Sequence, residues 1–285
     1  MPERAFRTAE VGGVPFQVSD LDAAVDWTMR RAASSDAPGV PVRLANAFCV
    51  TMANHRPDYL ATLRDRGVNF PDGAPVAWAM RRVGEEAGRV RGPSFFTTTL
   101  ERSQNTGLRH YFFGTDEAVL AELIDRVHEL YPGAIVVGAS APDFRSDPAE
   151  LAAQLPAGIT KQEVDIVWVG LGSPKQDFVA DVIAAERGVV AAGVGAAFDF
   201  VAGSVREAPR FMQNSGTEWL FRLASEPRRL WRRYLIGNVQ FLRVALPGIR
   251  SARKAAKAGQ PLVRPVEEDP EAAASHSPQV LHEMQ

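Results

Sequence analysis

Short apolar runs alternate with longer stretches of helical periodicity through most of the chain. The runs at 40–45, 68–70, 110–114, 134–139, 165–171 and 189–195 read as β-strands. Between them the spacing of apolar positions predicts helices over 21–33, 48–54, 57–66, 75–83, 95–105, 117–130, 148–155 and 175–186. The run from Asp165 to Gly172 is apolar on both faces, as a strand is when helices cover a parallel sheet from each side. Alternation of this kind predicts an α/β, doubly wound, mostly parallel sheet.

The pattern changes towards the C-terminus. Residues 209–216 read as a break, Thr217 caps a helix running to about 225, and Pro227 opens a second helix to about 244. Leu230, Trp231, Tyr234, Leu235, Val239 and Leu242 recur at helical spacing, and Arg228, Arg229, Arg232 and Arg233 occupy the remaining face. From Pro247 the periodicity is lost, and from about 259 a disordered tail is expected. The chain thus divides into an α/β core (1–205), a basic amphipathic helical appendage (206–257) and an acidic tail (258–285).

Composition adds little until it is divided in the same way. With 285 residues, 46% hydrophobic and 23% charged, the chain is of ordinary globular make-up and can bury a sizeable core. Its formal charge of −2 is a cancellation: 1–205 carry 19 Lys and Arg against 26 Asp and Glu, 206–257 carry 12 against 3, and 258–285 carry 1 against 5. A basic block in an otherwise acidic chain implies an anionic partner there, whether a phosphate, a nucleic acid or a lipid headgroup. The absence of an overall basic excess argues against a dedicated nucleic-acid binder. The single cysteine, Cys49, excludes an internal disulfide. Residues 1–10 carry charges without an apolar core, and the longest apolar stretch, 189–198, is far short of the ~20 residues of a membrane span, so neither an export signal nor an anchor is expected.

Candidate chemistry is concentrated at three places. Asp72 and Gly73 follow a short strand and precede a helix, where α/β proteins place reactive groups; the carboxylate is either a general base or a cap of that helix. The glycine turn carrying Pro174, Lys175 and Gln176 either presents amides and a cation to a phosphate or is a structural strand-to-helix turn. Arg222, Arg229 and Arg232 lie among aromatics in the appendage, suited to forked bonding of a diphosphate or else forming a solvated helix face. Other signals are negative. Neither Gly170/Gly172 nor Gly193/Gly195 is completed into a dinucleotide fingerprint, because Lys175 and Phe198 stand where a small residue is required. Asp20 and Asp22 resemble a metal-binding pair but sit where carboxylates cap a helix, and the five histidines lack ligand spacing. No metal is expected.

Taken together, the segments LANAF (44–48), PDGAPVAWA (71–79), RVRGP (89–93), YFFG (111–114), VGLGSPKQDF (169–178), GVGAAFDFVAGSVREAP (193–209) and EWLFRLASEPRRLWRRY (218–234) resemble the WecG/TagA/CpsF family of bacterial glycosyltransferases. The resemblance runs from about 15 to 245 and departs from the family pattern at Leu44 and Ser94. It implies a Rossmann-like core and an inverting, metal-independent transfer of a sugar, N-acetylmannosamine or another hexose. The donor is a UDP-sugar and the acceptor a saccharide on a polyprenyl diphosphate, in building cell-surface polysaccharide or teichoic-acid-like polymers. No cofactor is implied beyond the donor. Carried over residue by residue, the resemblance makes Asp72 catalytic. Substrate-binding roles fall to Asn46, Gly73, Arg89 and Gln176, and donor diphosphate contacts to Arg222, Arg229 and Arg232. It implies a cytoplasmic protein, peripheral on the anionic inner face of the membrane, with a homo-oligomer left open. A non-catalytic binder of nucleotide sugar or precursor with the same fold is the alternative.

Overall fold

The computed structural model describes residues 6–225, 227–231 and 235–258, apart from the side chains of 214, 229, 230 and 255–257. The chain opens with a hairpin, β1 (Thr8–Val11) and β2 (Val14–Gln17), absent from the sequence-based reading. Its two-residue loop is Gly12–Gly13, both at positive φ (59° and 83°), the backbone that a tight right-twisting hairpin turn requires. Helix α1 (Leu21–Ala33) follows, capped by the Asp20 carboxylate on the Ala23 amide at 2.8 Å. That observation supports the capping reading of the Asp20/Asp22 pair.

The main sheet begins with β3 (Val40–Ala45), then α2 (Ala47–His55), α3 (Pro57–Asp65), β4 (Val68–Pro71), α4 (Ala74–Arg82) and α5 (Gly92–Ser103). It continues through β5 (Arg109–Gly114), α6 (Glu117–Leu130), β6 (Ile135–Ser140), α7 (Pro148–Ala152), β7 (Ile166–Gly170), α8 (Lys175–Arg187), β8 (Val190–Gly193) and α9 (Ala197–Ala202). These six strands, β3 to β8, are all parallel and lie in the order β4-β3-β8-β7-β5-β6, in keeping with the predicted α/β class. Alternate residues of β7 explain its apolar character on both faces. Ile166 and Trp168 enter a core with α1, α5, α6 and α9, while Val167 and Val169 pack against α7 and α8.

Two parts of the C-terminal reading are corrected. Residues 209–216 contain a helix, α10 (Arg210–Ser215), rather than a break. Pro209 precedes its first turn and Gly216, at φ 77°, terminates it; proline before and glycine after is how a short helix is framed as readily as how a longer one is interrupted. The helix expected from Pro227 to end near 244 extends further. After α11 (Glu218–Ser225) the described residues form α12 (Pro227–Trp231) and α13 (Gly237–Lys257), which runs through Pro247, and residues 232–234 between them lie outside the described residues. A proline inside a helix removes one hydrogen bond. Here burial of Phe241, Ala245 and Ile249, one turn apart, offsets that loss by joining α13 to a core shared with α2, α4 and the hairpin. The tail from 259 lies outside the described residues.

Candidate active site

Sheet register brings the first two candidate residues together. Ala45 at the end of β3 pairs with Pro71 at the end of β4, and the Asp72 amide donates to the Ala45 carbonyl at 3.0 Å, so Asn46 and Asp72 leave the sheet side by side. Asn46 caps α2: its carboxamide oxygen accepts from the Phe48 and Cys49 amides at 3.0 and 3.3 Å. That leaves the carboxamide nitrogen as the part of Asn46 able to meet a ligand. Gly73 stands at φ 84°, a backbone a side chain would strain, and is itself the N-cap of α4, with no side-chain cap bond. Asp72 is therefore not the cap of that helix. Its half-buried carboxyl lines the cavity.

The cavity, about 530 Å³, opens beyond the carboxyl ends of β3, β4, β7 and β8, the region where open α/β sheets bind ligands. Burial pushes the Asp72 carboxyl up to about 6; Glu218 adds to the rise, and Arg89, Arg91 and Arg222 act against it. Arg89 lines the cavity and donates to the Gln213 carbonyl at 2.7 Å, tying α10 to the rim. Arg222, on α11, places its guanidinium over the Phe200 ring at 5.0 Å and makes no ion pair to another described residue. These two cations are the best placed to meet an anion. The Arg229 side chain and all of Arg232 lie outside the described residues.

Gln176 lines the same cavity but is occupied by the protein. Its side-chain oxygen accepts from Gly172 at 3.0 Å and Gly195 at 2.9 Å, joining the turns after β7 and β8. Those two amides thus face Gln176 and not a ligand, as the structural-turn reading requires. Beneath the turn the Tyr59 hydroxyl donates to buried Asp177 at 2.5 Å, anchoring α8 to α3. Lys175 stands over the exposed Phe144 ring at 4.4 Å and is not part of the cavity lining. Gln176→Leu is expected to lower the unfolding free energy by about 2 kcal/mol, because two glycine amides lose their acceptor. Urea unfolding checks this, and an unchanged midpoint would show that water replaces the carboxamide without cost.

Among the cavity residues that sequence reasoning missed are Arg91, Asp199, Phe200 and Glu218. Buried Arg91 bonds Glu218 through a fork, Nε to Oε2 at 2.9 Å and Nη2 to Oε1 at 3.0 Å, and reaches Glu207 at 2.9 Å. Phe200 lies beneath both Arg91 and Arg222. Burial raises the Asp199 carboxyl, with neighbouring Asp116 adding to the rise. Among the described residues no group of three or more His, Cys, Asp or Glu could hold a metal ion, and no helix is long and apolar enough to cross a membrane. Gly237 and Asn238 line the cavity, and the segment 220–242 around them exposes Leu220, Trp231, Leu235, Ile236, Val239 and Leu242.

Comparison with known proteins places this geometry in context. The sequence model of the glycosyl transferase WecG/TagA/CpsF family matches residues 9–255. An N-acetylglucosaminyldiphosphoundecaprenol N-acetyl-beta-D-mannosaminyltransferase of Bacillus spizizenii strain W23 is 33% identical over 185 residues, 64% of this chain and 70% of the relative. A protein of the same description from Bacillus subtilis strain 168 is 25% identical over 232 residues, 81% of this chain and 88% of its own length.

Proposed function

The chain belongs to the WecG/TagA/CpsF family of glycosyl transferases, and from that premise we propose that it moves a hexose from a UDP-sugar to a polyprenyl-diphosphate-linked saccharide with inversion at the sugar C1. The observation that carries the proposal is the Asp72 carboxyl, raised to about 6 and facing a cavity that also holds Arg89 and Arg222. A base of that proton affinity is ionised at neutral pH yet basic enough to take a proton from a hydroxyl. As the acceptor oxygen attacks C1, its proton passes to Asp72 and the C1–oxygen bond to UDP breaks, the electron pair leaving on the diphosphate. Arg222 and Arg89 meet that charge as it develops. A single displacement with the base on the acceptor side inverts the anomeric centre, and the reading assigns no step to a metal.

The relatives' names support an N-acetylglucosaminyl diphospho-undecaprenol acceptor and an N-acetylmannosaminyl donor group. The exposed apolar residues of 220–242 support peripheral engagement of the membrane that holds such an acceptor, with the basic residues of 206–257 attracted to anionic headgroups. Donor and acceptor meet, in this reading, on the cytoplasmic face.

The test is a panel of UDP-sugars offered with a polyprenyl-diphosphate N-acetylglucosamine acceptor, with and without EDTA, the product read by mass spectrometry and its anomeric configuration by NMR. Transfer from UDP-N-acetylmannosamine with inversion, undiminished by EDTA, is expected. UDP-sugar binding without transfer to any acceptor would favour the non-catalytic alternative, and loss of turnover in EDTA would overturn the metal-free reading.

A further inference from the structure

Most of the cavity's charged groups come from segments distant in sequence, and one pairing among them joins α11 to the start of α5. Glu218 is the first residue of α11 and Arg91 immediately precedes α5; the two are 127 positions apart and meet in a forked, two-bond ion pair. Arg91 is 6% exposed, so the pair forms where water screens little and charge acts over several ångströms. Glu207 supplies a second carboxylate to the same guanidinium, at 2.9 Å. Two carboxylates on one cation leave the cluster with a net negative charge beside Asp72. The charged groups lining the cavity around Asp72 are Arg89 and Arg91 from the segment before α5, Asp199 from α9, and Glu218 and Arg222 from α11.

Glu218 therefore stands in two relations at once. Through Arg91 it fastens the start of α11, and one turn further along that helix is Arg222, whose guanidinium reaches the Phe200 ring that Arg91 also covers. Both Glu218 and Asp72 line the cavity, and Glu218 acts on Asp72 as an ionised neighbour: its own carboxyl is held below the usual range despite burial, chiefly by the bonds from Arg91.

We propose that Glu218 is a positioning residue: held by the Arg91 fork, it sets the charge environment in which Asp72 accepts a proton, and it makes that environment conditional on the docking of α11. The inference rests on the reading of Asp72 as the base and deepens it. Fixing the anion on α11 means that the base works at full strength only when the helix carrying Arg222 is in place, so the two halves of the displacement are assembled together.

The experiment follows the Asp72 carboxyl directly by NMR in full-length protein labelled at the aspartate carboxyl carbon, the resonance assigned by its disappearance in Asp72→Asn. In Glu218→Gln, which keeps the length of the side chain and loses its charge, the titration midpoint is expected to fall by about one pH unit. Glu218→Asp, which keeps the charge, is expected to leave it near the wild-type value. Glu218→Ala, which removes the same charge, is expected to lower it likewise, which keeps the inference testable should Glu218→Gln not fold. In turnover, the acid limb of kcat/KM in Glu218→Gln moves with the midpoint, the plateau kcat falls severalfold because the base is weaker, and donor KM changes little. A purely structural role would lower the plateau and leave the limb in place. Equal midpoints in wild type and in Glu218→Gln or Glu218→Ala would overturn the proposal. Because the titration needs no turnover, that failure is distinct from failure of the Asp72 assignment, which would appear as retained transfer by Asp72→Asn.

Discussion

Asp72→Asn is expected to lower kcat by about 10³-fold, some 4 kcal/mol of transition-state stabilisation, while leaving UDP-sugar affinity within a few-fold of wild type. The amide keeps the shape of the carboxylate, and Asp72 bonds the fold through its backbone amide to Ala45, so the substitution removes proton acceptance and little else. The pH dependence follows from the raised carboxyl, at about 6. Below that value Asp72 is protonated and cannot serve as base, so kcat/KM rises with pH through about 6 and then levels.

The same shift has a consequence for stability, with the opposite preference. The folded protein holds the proton more tightly than the unfolded chain, so native stability declines as pH rises from the ordinary carboxylate range towards 6. Asp72→Asn is thus expected to be more stable than wild type at pH 7.5 by about 1 kcal/mol, a figure reduced for the partial exposure of the group. A variant that is inactive and also less stable would point to a structural role; one that retains turnover would remove Asp72 from the reaction.

Arg222→Ala is expected to reduce kcat about 10²- to 10³-fold, or roughly 3–4 kcal/mol, and to weaken UDP binding. Its guanidinium is placed over Phe200 without an ion pair to another described residue, so its charge is available to the departing diphosphate. Arg222→Lys is expected to recover only part of the loss, since an ammonium restores the charge and not the forked geometry. Single-turnover rates and competition by UDP separate the two contributions. If Arg222→Ala binds UDP as tightly as wild type and reacts within threefold, the diphosphate is met by another cation, Arg89 being the next candidate in the cavity.

The residues differ in how much of their role could be read from neighbouring positions. Asp72 was legible because a short apolar run, a glycine and a helical pattern follow one another within a few residues, and that order puts a carboxylate at a strand end. The choice between base and cap was not legible; it turns on Gly73 taking the N-cap with a positive φ. Gln176 was found for the right turn, yet its oxygen joins Gly172 to Gly195, and only the pairing of β7 with β8 brings Gly195 within reach. Arg91 and Glu218 lie in segments that carry the family resemblance, yet nothing local pairs them: each is an ordinary charged residue until the fold brings them into contact across 127 positions. The Gly12–Gly13 turn, by contrast, is a readable hairpin signal, since two adjacent glycines supply the positive φ that a tight hairpin turn requires.

The chain's own order of residues determined the class of fold, the succession of strands and helices, the family resemblance and the strand end that carries the candidate base. These depend on periodicity and turn chemistry, which act over a few bonds and survive without knowledge of what packs against them. Tertiary structure decided which polar groups are engaged by the protein and which are left for a ligand. Asn46 and Gln176 have their oxygens engaged by backbone amides, Arg91 is neutralised by Glu207 and Glu218, and Asp72 and Arg222 face the cavity. It also decided that α13 continues through Pro247, since burial against α2 outweighs a missing hydrogen bond. A side chain's availability depends on every competing partner within about 3 Å, and those partners are assembled by folding from parts of the chain that no local pattern connects.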